Sequence, residues 1–413
     1  MPREVSGIPL APQRIAYPAP ISTLSRHRLL ASSFAAGLCA FAMLLSAPLA
    51  TAAAEDELTA VTVSVLATPE AVLAEDGRRH LAYELMLSNR APTEVTVKSV
   101  RVLAGKRVVG GLAGKGLAAM MSPFAAGELG NRLQPGQGGY VLMDVSFPRG
   151  KKLPKRIVHR ITISERKPSP ANATTYLAAP TSVVRRAAVV VAPPLRGAGW
   201  VVANGCCDAF TAHRGTVLPV NGANHVAERF AIDFVQVGAN GRIFDGPGDM
   251  LSSYPYFGDP VYSSTKGKVV GVVDGIPETP AGEFPPNPTA QTAGGNHVVV
   301  DMGHGRYAFY AHLQPGSITV KVGRRVRTGQ VLGMLGNTGN SDAPHLHFHV
   351  MDSPSPLASN GVPFRFTKFT VAGTLTNVGP FSEDGAVAAI APKPRGPRSK
   401  MLPLNDQVID FGG

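Results

Sequence analysis

From Leu58 to about Glu165, apolar and polar residues alternate in short runs such as LAYELMLSN, EVTVKSVRVL, GYVLMDVSF and RIVHRITIS, with Gly, Pro and Asn between them. Alternation at period two with frequent turn residues predicts short, half-buried antiparallel strands, and many of them in series predict an immunoglobulin-like β-sandwich over 58–166. No His, Cys or acidic cluster stands in this segment, so it reads as a spacer or binding module. RKPSPANATTYLAAPTS, rich in Pro, Ser, Ala and Thr, reads as part of a linker over 167–187. Strand patterning resumes near Ala188 and continues to about Thr370 in RFAIDFV, KVVGVV, NHVVVDM, RYAFYAHL, SITV, VLGMLG and HLHFHV. The predicted fold class is therefore all-β, a sandwich followed by an antiparallel β-sheet domain over 188–370. The remaining 371–413 reads as a basic, Pro-rich, mobile tail whose final LPLNDQVIDF can dock as an edge strand.

Composition adds a compartment. At 413 residues the chain exceeds one ordinary core, and its 45 Gly and 36 Pro suit many turns better than long helices. Arg26, His27 and Arg28 lead into an apolar run from Leu29 to Leu45 and a small-residue stretch from Ala47 to Ala54. This is the pattern of a secretory signal or an N-terminal anchor over 1–54, and either predicts export to the periplasm, the cell envelope or the medium. Membrane contact follows only if the segment stays uncleaved. The net charge of +12 favours an anionic neighbour. The basic residues are dispersed and form no stripe interleaved with aromatics, which argues against nucleic acid. No sequence feature speaks to oligomeric state. Cys39 lies in the apolar run, and the adjacent Cys206 and Cys207 are read equally as a vicinal disulfide or as two thiols, with no assigned function.

Three segments carry candidate chemistry. In Pro344-His345-Leu346-His347-Phe348-His349, strand alternation points three imidazoles to one face and Leu346, Phe348 and Val350 to the other. An exposed face would tolerate one histidine without purpose, whereas His-x-His on a strand suits two metal ligands or a ligand and a base. Tyr310-Ala311-His312 ends another strand, and alternation there puts Tyr310 and His312 on one face. In Arg229-Phe230-Ala231-Ile232-Asp233-Phe234-Val235 a lone carboxylate sits inside an apolar strand and needs a cation or metal as partner.

These segments, in this order, resemble the lysostaphin-type zinc metallopeptidases, the β-lytic endopeptidases of peptidoglycan. The resemblance spans roughly Gly258 to Val350. It includes Gly258-Asp-Pro-Val261, Gly295-Asn-His-Val298, Tyr310-Ala-His312-Leu313, Val322-Gly-Arg-Arg-Val326 and Gly336-Asn-Thr-Gly-Asn-Ser341, which leads into Pro344-His-Leu-His-Phe348. It implies a Zn²⁺ ion held by a His, by Asp233 and by His347, with His345 as general base and His312 orienting the attacking water or stabilising the oxyanion. The family's first ligand stands four residues before the Asp, a position occupied here by Arg229, which cannot ligate a dication. His213 and His225 are the nearby replacements. His225 is eight residues from Asp233 on one extended segment, about 26 Å away at strand rise. A hairpin around Asn221-Gly222 would instead bring His213 opposite Arg229, and His213 is the preferred third ligand. Arg229 is then free to bind a substrate carboxylate or pair with an acid. His349 stands where the family often has Glu, as a partner to a ligand or a spare ligand. The Pro- and Gly-rich segment Ile276 to Gly295 reads as a wall of the cleft.

The resemblance thus implies an exported zinc endopeptidase acting on peptidoglycan peptides. The competing reading, raised by Arg229, is a non-catalytic relative that binds peptidoglycan or regulates a partner hydrolase.

Overall fold

In the strand Arg78–Asn89, alternate residues Leu81, Tyr83, Leu85 and Leu87 enter a buried core, and Val95, Val97, Val100 and Val102 of Val95–Ala104 meet them there. The odd-to-even step from Val97 to Val100 coincides with a bulge between Val97 and Ser99 in the pairing with Arg156–Glu165, since one extra residue reverses the facing side. These strands belong to two five-stranded sheets that share a buried cluster between them. The computed structural model describes residues 56–166 and 173–412; the signal or anchor segment at 1–54, with Cys39, lies outside the described residues.

The segment expected to be a linker contributes a strand, Ala173–Ser182, paired antiparallel with Arg156–Glu165 at the edge of the second sheet. Its Tyr176 is buried and donates its hydroxyl to the Val61 carbonyl at 2.6 Å. Pro180, one of the prolines of that segment, falls at a register shift between Ala178 and Thr181 on this edge strand, where a missing ladder donor is tolerated.

Buried in the first sheet, His80 lies between two carboxylates, with Nδ1 2.7 Å from Asp144 and Nε2 3.1 Å from Asp76. Burial alone would lower its pKa, but the hydrogen bonds to Asp144 and Asp76 outweigh burial and raise it to about 9. A raised pKa stabilises the fold in full below the ordinary value of 6.5, and this contribution disappears as pH rises through about 9. The expected size is on the order of 3 kcal/mol. Thermal melts of His80→Gln should therefore lose the decline in stability that the parent protein shows between neutral pH and pH 9; an unchanged slope would refute the assignment.

The second half is built on an 11-stranded sheet. Its centre runs Trp200–Ala203, Ile232–Gln236, Leu346–Met351, Arg306–Leu313, Asn296–Gly303, each antiparallel to its neighbour. One face of these strands, with Ile232, Phe234, Leu346, Phe348, Val350, Tyr310 and Val298, packs into the main core. The opposite face carries the polar residues considered below beside a small cluster of Val299, Phe309, Ala311 and Met351.

The last segment is no mobile tail and does not dock at an edge. Gln407–Asp410 lies between Phe364–Leu375 and Trp200–Ala203, and Ile390–Met401 pairs with Phe364–Leu375. Val408 and Ile409 are buried, and their apolar pair places the strand inside the sheet despite the charged residues before it.

Candidate metal centre

Asp233 and His347 are direct cross-strand partners, so their side chains project from the same face of adjacent strands. The Asp233 carboxylate is the hub of the cluster. Its Oδ1 lies 3.0 Å from His347 Nδ1 and 3.3 Å from His345 Nε2, and its Oδ2 lies 3.1 Å from His213 Nε2. Asn204 donates its amide to Oδ2 at 2.9 Å. Asn204 was not singled out by its sequence, although Asn204-Gly205 is a turn signal, and its positive φ of 56° belongs to that turn.

His213 reaches the carboxylate from a short helical turn, Ala212–Gly215, and not from a strand opposite Arg229. The hairpin around Asn221-Gly222 does form, between Leu218–Val220 and Ala223–His225, but it pairs Leu218 with His225 and leaves both outside the cluster. Arg229 points elsewhere. Its guanidinium grips the fully buried Glu84 of the first sheet, donating to both carboxylate oxygens, Nε at 2.9 Å to each, and to the Gly361 carbonyl at 3.2 Å. Of the two roles expected for Arg229, the structure gives pairing with an acid.

His312 departs from the alternation expected of its strand. Ala311 pairs with His347 and shares its face, while Tyr310 faces the main core and donates no side chain to the cluster; its hydroxyl accepts from Ser264 N at 2.7 Å. His312 would follow Tyr310, but a φ of 63° interrupts the alternation there, and the imidazole lies within 4.6 Å of the His345 ring, centroid to centroid. Its Nδ1 bonds the Thr338 carbonyl at 2.7 Å. An N–H must donate in that bond, so Nε2 is the free acceptor. His345 is also anchored through Nδ1, which donates to the Ala343 carbonyl at 2.9 Å, and its Nε2 lies toward Asp233. His349 lies fully buried behind His347, its Nδ1 2.9 Å from His347 Nε2.

The charges follow from this packing. Burial would raise the Asp233 carboxyl, but His213 and His345 outweigh it and hold the group well below the usual carboxylate range. Burial would lower His213, yet Asp233 raises it to about 9. His345 is raised by Asp233 against its burial. Burial, together with neighbouring imidazoles, pushes His312 and His349 well below the ordinary histidine range.

Among the described residues, two groups offer donor atoms close enough for one metal ion, all within 4.8 Å of one another: His213, Asp233 and His347, and separately His80, Asp144 and Cys207. Cys207 is bonded to Cys206 in a vicinal disulfide and so offers no thiolate. Two cavities, of about 970 and 280 Å³, both have Asn204, Asp233, Asp342 and His345 in their walls, so a groove extends to either side of the cluster. Phe284, Ala290, Ala293 and Gly294 line the smaller one, which puts the segment from Ile276 to Gly295 at the cleft as expected.

Residues 253–359 match the description Peptidase family M23. The match contains His312, His345 and His347, whereas Asp233 and His213 lie upstream of it. Peptidoglycan DD-endopeptidase ShyA of Vibrio cholerae serotype O1 is 40% identical over 63 residues, 15% of this chain and 14% of that protein. Lysostaphin of Staphylococcus staphylolyticus is 32% identical over 133 residues, 32% of this chain and 23% of that protein. This chain therefore spans less than a quarter of the length of either relative. Among solved structures, the catalytic domain of the antimicrobial peptidase lysostaphin from Staphylococcus simulans aligns at 24% identity over 40% of this chain and 86% of that one, with a TM-score of 0.21. Residues 253–359 of this chain are thus similar to peptidase family M23, the same stretch that holds His312, His345 and His347.

Proposed function

We propose that this chain is an exported, zinc-dependent endopeptidase that hydrolyses peptide bonds of peptidoglycan. The observation that carries the proposal is the convergence of His213 Nε2, Asp233 and His347 Nδ1 from three separate elements onto one point beside His345. The donor set fits zinc: two neutral imidazole nitrogens and a carboxylate oxygen are the common three-ligand set of a hydrolytic site with one open position. His349 behind His347 Nε2 supplies the outer partner that fixes ring and tautomer of a ligating histidine. Bound zinc supplies Lewis acidity, lowering the pKa of water toward about 7 and polarising a carbonyl.

The chain's own residues do the rest. His345, anchored through Nδ1, presents Nε2 as the base that takes a proton from the attacking water and returns it to the leaving amine. His312, anchored on the Thr338 carbonyl, presents a lone pair at Nε2; this suits orienting the water, since an acceptor cannot donate to an oxyanion. The groove to either side of Asp233 and His345 suits an extended peptide. Peptidoglycan as substrate is carried over from the family and from ShyA, a peptidoglycan DD-endopeptidase. Export follows from the pattern at 1–54 and from the location of that substrate. In this reading the peptidase domain begins near Ala188 and extends past Thr370, because Gln407–Asp410 completes its sheet. The non-catalytic alternative rested on an arginine at the expected ligand position; His213 beside Asp233 supports the catalytic reading over it.

Elemental analysis of the purified mature chain should find close to one zinc per molecule, and the protein should solubilise purified peptidoglycan. His345→Ala should retain the metal and lose about 10²–10⁴-fold in rate. A zinc-free wild type after metal is supplied, or a His345→Ala variant of full activity, would defeat the proposal.

A further inference from the structure

We infer that the N-terminal pair of sheets is a positioning element of the metal centre, clamping the turn that carries His213. The inference rests on the reading of His213 as a ligand. A single helical turn such as Ala212–Gly215 has no stability of its own, so something else must hold His213 in place. Within its own domain it has the Thr211 cap, whose hydroxyl oxygen accepts from Arg214 N at 3.2 Å and whose hydroxyl donates to the Asn204 carbonyl at 3.1 Å.

Its own domain adds a bond from Arg214 to the Cys207 carbonyl, and further restraints come from the strand Gly138–Pro148 of the first sheet. Tyr140 donates its hydroxyl to the Gly215 carbonyl at 2.6 Å, and the fully buried Arg214 donates to the Met143 carbonyl at 3.2 Å. Phe210 and Val217, which flank the turn on either side, pack on the buried cluster of Met120, Tyr140 and Leu142. The residues before, within and after the turn are thus each tied to one patch of the N-terminal sheet. The same patch reaches the second ligand segment, because Glu84 is the cross-strand partner of Leu142 and grips Arg229, four residues before Asp233. The N-terminal module therefore fixes the spacing between His213 and Asp233, which come from segments with no direct ladder between them.

A metal site is sensitive to displacement of a ligand by a fraction of an ångström, and loss of outer positioning contacts commonly weakens affinity 10–100-fold. The experiment uses the full mature chain and measures zinc affinity by chelator competition for wild type, Tyr140→Phe, Tyr140→Phe with Leu142→Ala, His213→Ala, and the combination of all three. Thermal melts of the metal-free proteins confirm that each is folded. Tyr140→Phe should bind zinc about 10-fold more weakly and the double variant about 100-fold, whereas in the His213→Ala background the same changes should add nothing. Wild-type affinity in the docking variants alongside weakened binding in His213→Ala would overturn the clamp and leave the ligand assignment standing. Equal losses with and without His213 would also overturn it. Wild-type affinity in His213→Ala would remove the ligand assignment itself and the clamp with it.

Discussion

In the proposed zinc endopeptidase, Asp233→Ala, and likewise His347→Ala, is expected to leave the chain without stoichiometric zinc and to lower peptidoglycan hydrolysis by at least about 10³-fold, the scale on which Lewis-acid and base contributions disappear together. Asp233 is the more severe site because four partners converge on it: His213, His345, His347 and the Asn204 amide. Asp233→Asn separates charge from shape. It keeps the volume and an acceptor oxygen for Asn204, but it removes the anion that draws in a dication and raises His213 to about 9. The expectation is that Asp233→Asn matches Asp233→Ala in metal content while its metal-free thermal stability changes far less. Elemental analysis and turbidity loss of purified peptidoglycan follow metal and activity, thermal melts follow stability, and a zinc-replete Asp233→Asn enzyme would remove the carboxylate from the ligand set.

The site's composition was legible in the sequence because its chemistry sits on strands whose alternation can be counted. His347 and Asp233 needed only period two and the pairing of their strands. His312 did not follow from counting, since it reaches the cluster through a left-handed residue that ends the alternation, and neither a Gly nor an Asn marks that break. His213 lies beside Asp233, but not by the expected route: its proximity comes from a helical turn with contacts to a distant sheet, and a contact across that distance leaves no local pattern. The same limit concealed the partner of Arg229, 145 residues away in Glu84. Boundaries failed where composition was taken for conformation. The Pro-containing stretch around Tyr176 is an edge strand, and the charged end of the chain contributes Val408 and Ile409 to the middle of a sheet. Edge and central strands differ in what covers them, and that is a property of the assembled fold.

The largest expected effect on stability lies at Arg229. Arg229→Met should destabilise the protein by about 3–5 kcal/mol, because it leaves Glu84 fully buried without its guanidinium fork. The same reasoning predicts that Arg229→His, which puts at this position the histidine that the resemblance implies, gains no zinc: the side chain at 229 is directed at Glu84, and His213 already contacts Asp233 Oδ2. A buried ion pair costs desolvation on both sides, so the double variant Glu84→Leu with Arg229→Met should recover most of the loss, and urea denaturation of both single variants, the double variant and wild type forms the cycle that measures it. If Arg229→Met alone stayed within about 1 kcal/mol of wild type, the pair would be no structural bridge, and an arginine at the position of the missing ligand would again need a role at the substrate.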